Sequence, residues 1–186
     1  MESARYLTGQ FLLATPGMSD PRFAQAVIAI CAHDAKGAVG VGIGATIAGL
    51  GLHEVLKQFE IAPGDAPDAP IHFGGPVETR RGFVLHSGDW GGQDTIDVAG
   101  RWALSGTIDV LRAIAGGVGP TRWIVALGYA GWGRGQLDGE LTRPGWINGP
   151  GDAALIFDCA AADRWARAYE GAGVDSRLLA SGAGRA

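Results

Sequence analysis

The sequence predicts an α+β fold with a mixed, largely antiparallel sheet and helices packed outside it. Three observations carry that reading. Short apolar runs rich in Val and Ile recur between clusters of Gly, Pro and Asp. Stretches with apolar residues three or four apart interrupt them, without the regular alternation of βαβ winding. No shift in composition divides the 186 residues, so one domain over 1–186 is expected.

Residues 11–14, 26–31 and 38–43 read as three early strands. They are separated by Pro16-Gly17, Asp20-Pro21 and Asp34-Ala35-Lys36-Gly37, the last suited to a hairpin turn. Leu52, Val55, Leu56 and Phe59 recur at helical spacing, so residues 51–59 read as an amphipathic helix. The Pro-rich stretch 62–70 ends it as a surface loop. Residues 71–73, 83–86 and 101–104 follow as strands. Ile108, Leu111 and Ile114 mark a helix over 107–115, stopped by Gly116-Gly117. Residues 123–127 read as a buried strand entering a loop, Leu127 to Leu137, where Tyr129 and Trp132 stand among Gly128, Gly131, Gly133 and Gly135. Leu137 and Leu141 lie four apart on a short helix that Pro144-Gly145 ends. Residues 154–157 read as a last strand, and 162–170 as a helix with Trp165 and Tyr169 on one face.

Composition narrows the function classes. The 32 glycines imply many tight turns, but they form no repeat, which excludes a collagen or linker. A formal charge of -4 argues against holding nucleic acid by its phosphates, since that affinity needs clustered Lys and Arg. Cys31 and Cys159 are too few for a secreted disulfide framework and read as reduced thiols. The first apolar run is stopped at Pro16-Gly17, too early for a signal segment, and none approaches the roughly 20 residues of a membrane span. A cytoplasmic protein with no membrane contact is expected.

Motifs that would name a chemistry fail on inspection. Gly40-Val41-Gly42-Ile43-Gly44-Ala45 matches G-x-G-x-x-A, but its glycines lie inside the strand-like run and not in a turn after it. His53-Glu54-Val55-Leu56-Lys57 begins like H-E-x-x-H and ends in Lys57, which cannot replace the second histidine. Cys31 and His33 suggest a nucleophile and base. Residues two apart on a strand share a face with Cα atoms roughly 6.5 Å apart, however, and direct activation needs hydrogen-bond reach. His72 and His86 are the obvious recruits for a metal set with that pair, at a spacing matching no known finger, so no metal and no cofactor is expected. Asp94 with Asp97, and Asp138 with Glu140, read as solvated surface.

Several separated segments together resemble the AlgH/YqgE family of bacterial proteins. They are Gly9-Gln10-Phe11-Leu12-Leu13-Ala14-Thr15-Pro16, Asp20-Pro21-Arg22-Phe23, Cys31-Ala32-His33-Asp34 with Gly37-Ala38-Val39-Gly40, Phe73-Gly74-Gly75-Pro76-Val77 and Arg81-Gly82-Phe83-Val84-Leu85-His86. The glycine-aromatic loop with Trp146, Phe157-Asp158 and Trp165 completes the set. The resemblance implies a single domain whose curved sheet folds into a pseudo-barrel with helices outside. It supplies no established catalytic residue and no established ligand, and a transcription-regulator label carried by some members. Where the family usually has Asn-Arg-Pro, this chain has Gly44-Ala45-Thr46.

The residues favour a binding or regulatory module, contacting a protein or small ligand through one surface made from Gly74, Gly75, Pro76, Arg81, His86, Tyr129, Trp132 and Gln136. Aromatics and Arg are favoured interface anchors, and loops on a rigid sheet are where function concentrates. Against this stands the plain alternative that Gly-Gly-Pro only turns the chain and the two aromatics only pack it. A small hydrolase or thiol-dependent enzyme using Cys31, His33 or His86 is a second reading. A regulator binding DNA directly is a third, disfavoured by the acidic charge. Trp132→Ala is the substitution that should separate a binding loop from architecture.

Overall fold

In the computed structural model, residues 6–175 are described, and among them the chain forms ten strands and five α-helices. They follow in the order β1 (Phe11–Ala14), a 3-10 turn (Pro21–Phe23), β2 (Val27–Asp34), β3 (Gly37–Gly42), β4 (Thr46–Gly51), α1 (Leu52–Gln58), β5 (Pro70–Phe73), β6 (Val77–His86), β7 (Ile96–Val98) and β8 (Trp102–Ser105). Then come α2 (Ile108–Ala115), β9 (Trp123–Trp132), α3 (Gln136–Leu141), β10 (Trp146–Gly149), α4 (Ala153–Phe157) and α5 (Ala161–Gly171). Local chemistry accounts for several boundaries. The Asp34 side chain accepts from Lys36 N at 2.7 Å and closes the expected β2–β3 hairpin. Asp20 accepts from Arg22 N, with Pro21 opening the 3-10 turn, and Asp152 caps α4 through Ala154 N.

The strands form one sheet in the order β10-β1-β2-β3-β9-β6-β8-β7, with β5 parallel to β9 and β4 antiparallel to β5. All other pairings are antiparallel, as the short turns imply. The sheet curls strongly. Phe11 of β1 stacks on Trp102 of β8 at 5.7 Å although the two strands lie towards opposite ends of the order, and Arg101 Nη1 donates to Gly9 O at 2.8 Å across the same seam. No ladder joins those two ends among the described residues, so the barrel is not closed.

Alternation along the strands sorts the core. Phe11, Leu13, Val27, Ala29, Phe83, Leu85 and Trp102 face the inside of the curl, where Leu155 and Ile156 of α4 and Tyr169 of α5 join them. Leu12, Ile28 and Ile30 face outward and pack with Trp132 and with Leu137 of α3. On the other half, Ile71, Val84 and Val125 face outward against α1 and α2, whose buried residues match the apolar periodicity of the sequence. Trp165 Nε1 and Tyr169 Oη both donate to Ala14 O at 2.8 Å, which fixes α5 to the end of β1.

Three expectations need correction. Residues 154–157 are helical, because a short apolar run carries no period that tells strand from helix, and Asp152 supplies the cap. β4 and β10 are additional strands that carry Gly among few Val or Ile, and β7 is a further one whose three residues, Ile-Asp-Val, are too short to show a period. Most consequential, β9 continues through Trp132, so most of the glycine-aromatic stretch is strand and only residues 133–135 connect it to α3. Gly128 has φ +76°, and the β6–β9 ladder bulges beside it, its register shifting between Val77 and Gly82 of β6. Along one edge β9 pairs with β5 over residues 125–127 and then with β3 over 130–132, while β6 pairs along the other edge from Trp123 to Tyr129. A side chain on Gly128 would strike Gly75 O, and one on Gly75 would strike the backbone of Tyr129 and Ala130. The Gly-Gly-Pro segment therefore presses backbone against backbone where the sheet changes partners.

Candidate functional site

A surface cavity of about 370 Å³ opens where the 3-10 turn, the start of β6, the end of β9, α3 and the start of β10 meet. Phe23, Trp132, Trp146, Met18 and Pro76 give it apolar walls, and Asp20, Arg22, Gln136 and Glu140 give it polar ones. A hydrogen-bonded set organises one side. Gly133 N donates to Gln136 Oε1, Gln136 Nε2 donates to Glu140 Oε1, and Trp132 Nε1 donates to Glu140 Oε2, each at 3.0 Å. Gln136 and Glu140 stand four apart on α3, which puts both on one face. Phe23 meets Trp146 edge-on at 5.5 Å, and Arg22 is held by Asp20 through Nη2 to Oδ2 at 2.7 Å. Next to the cavity, a recess of about 30 Å³ shares Arg22 and Phe23 and is lined by Gly74, Gly75, Gly44 and Ala45. Gly44 and Ala45 thus border the same groove.

The groove gathers Pro76, Trp132 and Gln136 in the cavity and Gly74 and Gly75 in the recess. Three other candidates lie elsewhere. The Tyr129 ring turns towards the inside of the curl and meets Phe83 edge-on at 5.6 Å. The Gly128 bulge causes this, since it reverses the inside-outside alternation: Ile124 and Ala126 face in before it, while Ala130 and Trp132 face out after it. Arg81 lies on an exposed stretch of β6, 4.9 Å from the Phe83 ring centroid and paired with Glu78.

His86 is fully buried in a hydrogen-bond chain whose direction can be assigned. Nδ1 faces the Ser87 carbonyl at 2.8 Å and must donate, so Nε2 accepts from Ser105 Oγ at 2.8 Å. Ser105 has then spent its proton, so Thr95 Oγ1 donates to Ser105 Oγ at 2.7 Å and itself accepts from Gly92 N. Burial pushes the His86 pKa down, while the Ser87 carbonyl, Asp89 and Asp94 oppose it. Loop 87–95 is thereby tied to β8.

Cys31 and His33 keep different company. Cys31 lies in the enclosed core, donates to Ala29 O at 3.5 Å, and has its pKa pushed up to about 12 by burial, with the nearby Trp102 indole opposing weakly. His33 Nδ1 accepts from Leu7 N at 2.9 Å, and Nε2 lies 3.5 Å from Asp138 Oδ1. The pair makes no mutual hydrogen bond, and the thiol lacks the thiolate character of a nucleophile. His72, the other suggested metal recruit, is buried: Nδ1 donates to Val125 O at 3.1 Å and Nε2 accepts from Arg164 Nη1 at 2.7 Å. Burial, then the Arg164 charge, push its pKa down to about 4.

Sequence reasoning missed Glu140, Phe23, Met18, Arg22 and Trp146 as cavity residues. Glu140 had a usable signal in its four-residue offset from Gln136, but reading Asp138 and Glu140 as a solvated acidic pair hid it. Asp20 to Phe23 and Trp146 were quoted only as family markers, with nothing local to say they meet.

The AlgH-like family model (DUF179) matches residues 11–177. This chain belongs to the AlgH-like family. It is 56% identical over 186 residues to a UPF0301 protein of Rhizorhabdus wittichii and 51% identical over 186 residues to one of Novosphingobium aromaticivorans, each alignment covering 100% of both chains. The solution structure of the AlgH protein from Pseudomonas aeruginosa matches with a TM-score of 0.81 at 42% identity, over 100% of this chain and 99% of that one. A crystal structure from Corynebacterium diphtheriae matches with a TM-score of 0.76 at 19% identity, over 96% and 94%, which speaks for the fold alone. No helix among the described residues of this AlgH-like chain is long and apolar enough to cross a membrane.

Proposed function

We propose that this AlgH-like protein is a binding module whose working surface is the groove formed by the Phe23–Trp132–Trp146 cavity and the neighbouring Gly44–Gly75 recess. One observation carries the reading. Pro76 and, far from it in sequence, the neighbours Trp132 and Gln136, all singled out for their chemistry, line one cavity of a size at the lower end of small-molecule sites, which span about 300–1,000 Å³. The enzyme reading loses support, since Cys31 is a buried thiol and His86 spends both nitrogens on Ser105 and Ser87. A regulatory role, as the family resemblance suggests, fits a module acting through protein or small-ligand contacts better than one gripping duplex DNA, given the charge of -4.

Trp132→Ala is a poor test. Trp132 is 9% exposed and packs in the outer core, so truncation should cost about 3–5 kcal/mol whatever the groove does. Pro76→Arg is better, because Pro76 is exposed at the cavity wall. Wild type and variant should first melt alike in buffer. Added bacterial lysate, split into dialysable and macromolecular fractions, should raise the melting temperature of wild type with one fraction and leave the variant unmoved. An equal rise in both proteins, or no rise with either fraction, would contradict the groove reading.

A further inference from the structure

The cavity carries a charge that nothing beside it neutralises. Glu140 accepts from Trp132 Nε1 and Gln136 Nε2, two neutral donors that orient its carboxylate without cancelling its charge, and no ion pair to Glu140 is found among the described residues. The other charged groups lining the cavity are Asp20 and Arg22, which bind each other through three contacts between 2.7 and 3.2 Å and sum to zero. Phe23, Trp132 and Trp146 line the same cavity. Aromatic faces attract cations through the ring quadrupole, most strongly when water is excluded. The structure already uses this wall so: the Arg22 guanidinium lies 5.5 Å from the Phe23 ring centroid.

We infer that the groove accepts a small organic cation, an alkylammonium ion, with the charge beside Glu140 and its alkyl groups against Phe23, Trp132 and Trp146. The inference rests on the groove being the binding surface and adds the chemistry of what enters it. A carboxylate paired with aromatic walls discriminates by charge and by bulk together. An inorganic cation lacks the alkyl surface, and an uncharged alcohol lacks the attraction to Glu140. An anion is repelled.

The test uses the full chain, choline as probe, and the uncharged carbon isostere 3,3-dimethylbutan-1-ol, followed by the indole and amide signals of Trp132, Gln136 and Trp146 in NMR titrations. Choline should bind saturably, about tenfold or more tighter than the isostere, a difference of about 1.4 kcal/mol. Glu140→Gln should abolish the preference while melting near wild type. Should that variant misfold, wild-type affinity for choline should still weaken with added salt while that for the alcohol does not. Equal affinity for both probes would overturn the cation inference while leaving the groove a binding site. No saturable shift with choline overturns it too, and the groove itself is then judged by the lysate melting comparison.

Discussion

Gly75→Ala is expected to lose on the order of 3–4 kcal/mol of stability, read as a lower urea midpoint. Gly75 has φ +151°, a conformation side chains rarely adopt, and a Cβ there would run into the Tyr129 carbonyl and the Ala130 nitrogen. Backbone cannot rotate out of the way as a flexible side chain would. Relief would require separating segment 74–75 from β9, and that contact sits where one edge of β9 changes partners from β5 to β3. Gly17 serves as the control, having open space around it, and Gly17→Ala should change stability by no more than about 0.5 kcal/mol. If the two variants melted alike, the backbone crossing would not have the role given to it.

Arg164→Ala is expected to cost about 3–5 kcal/mol, again by urea midpoint. Arg164 is 4% exposed and donates to Leu155 O, Ile156 O and Ile43 O as well as to His72, joining α5 to α4, to the residue after β3 and to β5. Removing it leaves three carbonyls without that donor and a cavity beside them. Burial lowers the Arg164 pKa, yet the group stays charged, so its charge also helps hold His72 neutral. The pH dependence follows with a definite sign. The native state keeps His72 unprotonated down to about pH 4, while the unfolded chain takes up the proton near pH 6.5. Stability is therefore full above about pH 6.5 and falls by about 3 kcal/mol as pH drops towards 4. In Arg164→Ala that slope should shrink, but only in part, because burial is the larger cause. A slope unchanged by the substitution, or a loss below about 1 kcal/mol, would refute the coupling.

How much of this was legible in the sequence depended on the length and period of each signal. The helices over 108–115 and 161–171 follow from apolar residues three and four apart, a pattern that survives without tertiary context. The antiparallel sheet follows from short turns such as Asp34 to Gly37. The reach of β9 does not, because Gly128 serves a bulge in a strand and would look the same in a loop. One consequence travelled into the site. The bulge reverses alternation, so Tyr129 points inward and Trp132 outward, and no reading of Tyr129-Ala130-Gly131-Trp132 alone could separate the two. Pro76, Trp132 and Gln136 were found because their chemistry is unusual. Glu140 was not, since a carboxylate on a short helix looks solvated until the indole it accepts from is placed beside it.

The most direct test of the groove is to place isotope-labelled wild-type protein in unlabelled bacterial lysate and map which amide and indole signals shift or broaden relative to buffer. Perturbations should cluster at Phe23, Gly131, Trp132, Gln136, Glu140 and Trp146, and vanish in Pro76→Arg. Signals perturbed instead around loop 87–95 or α2, or a spectrum identical to that in buffer, would show that the groove is not the surface through which this AlgH-like protein works.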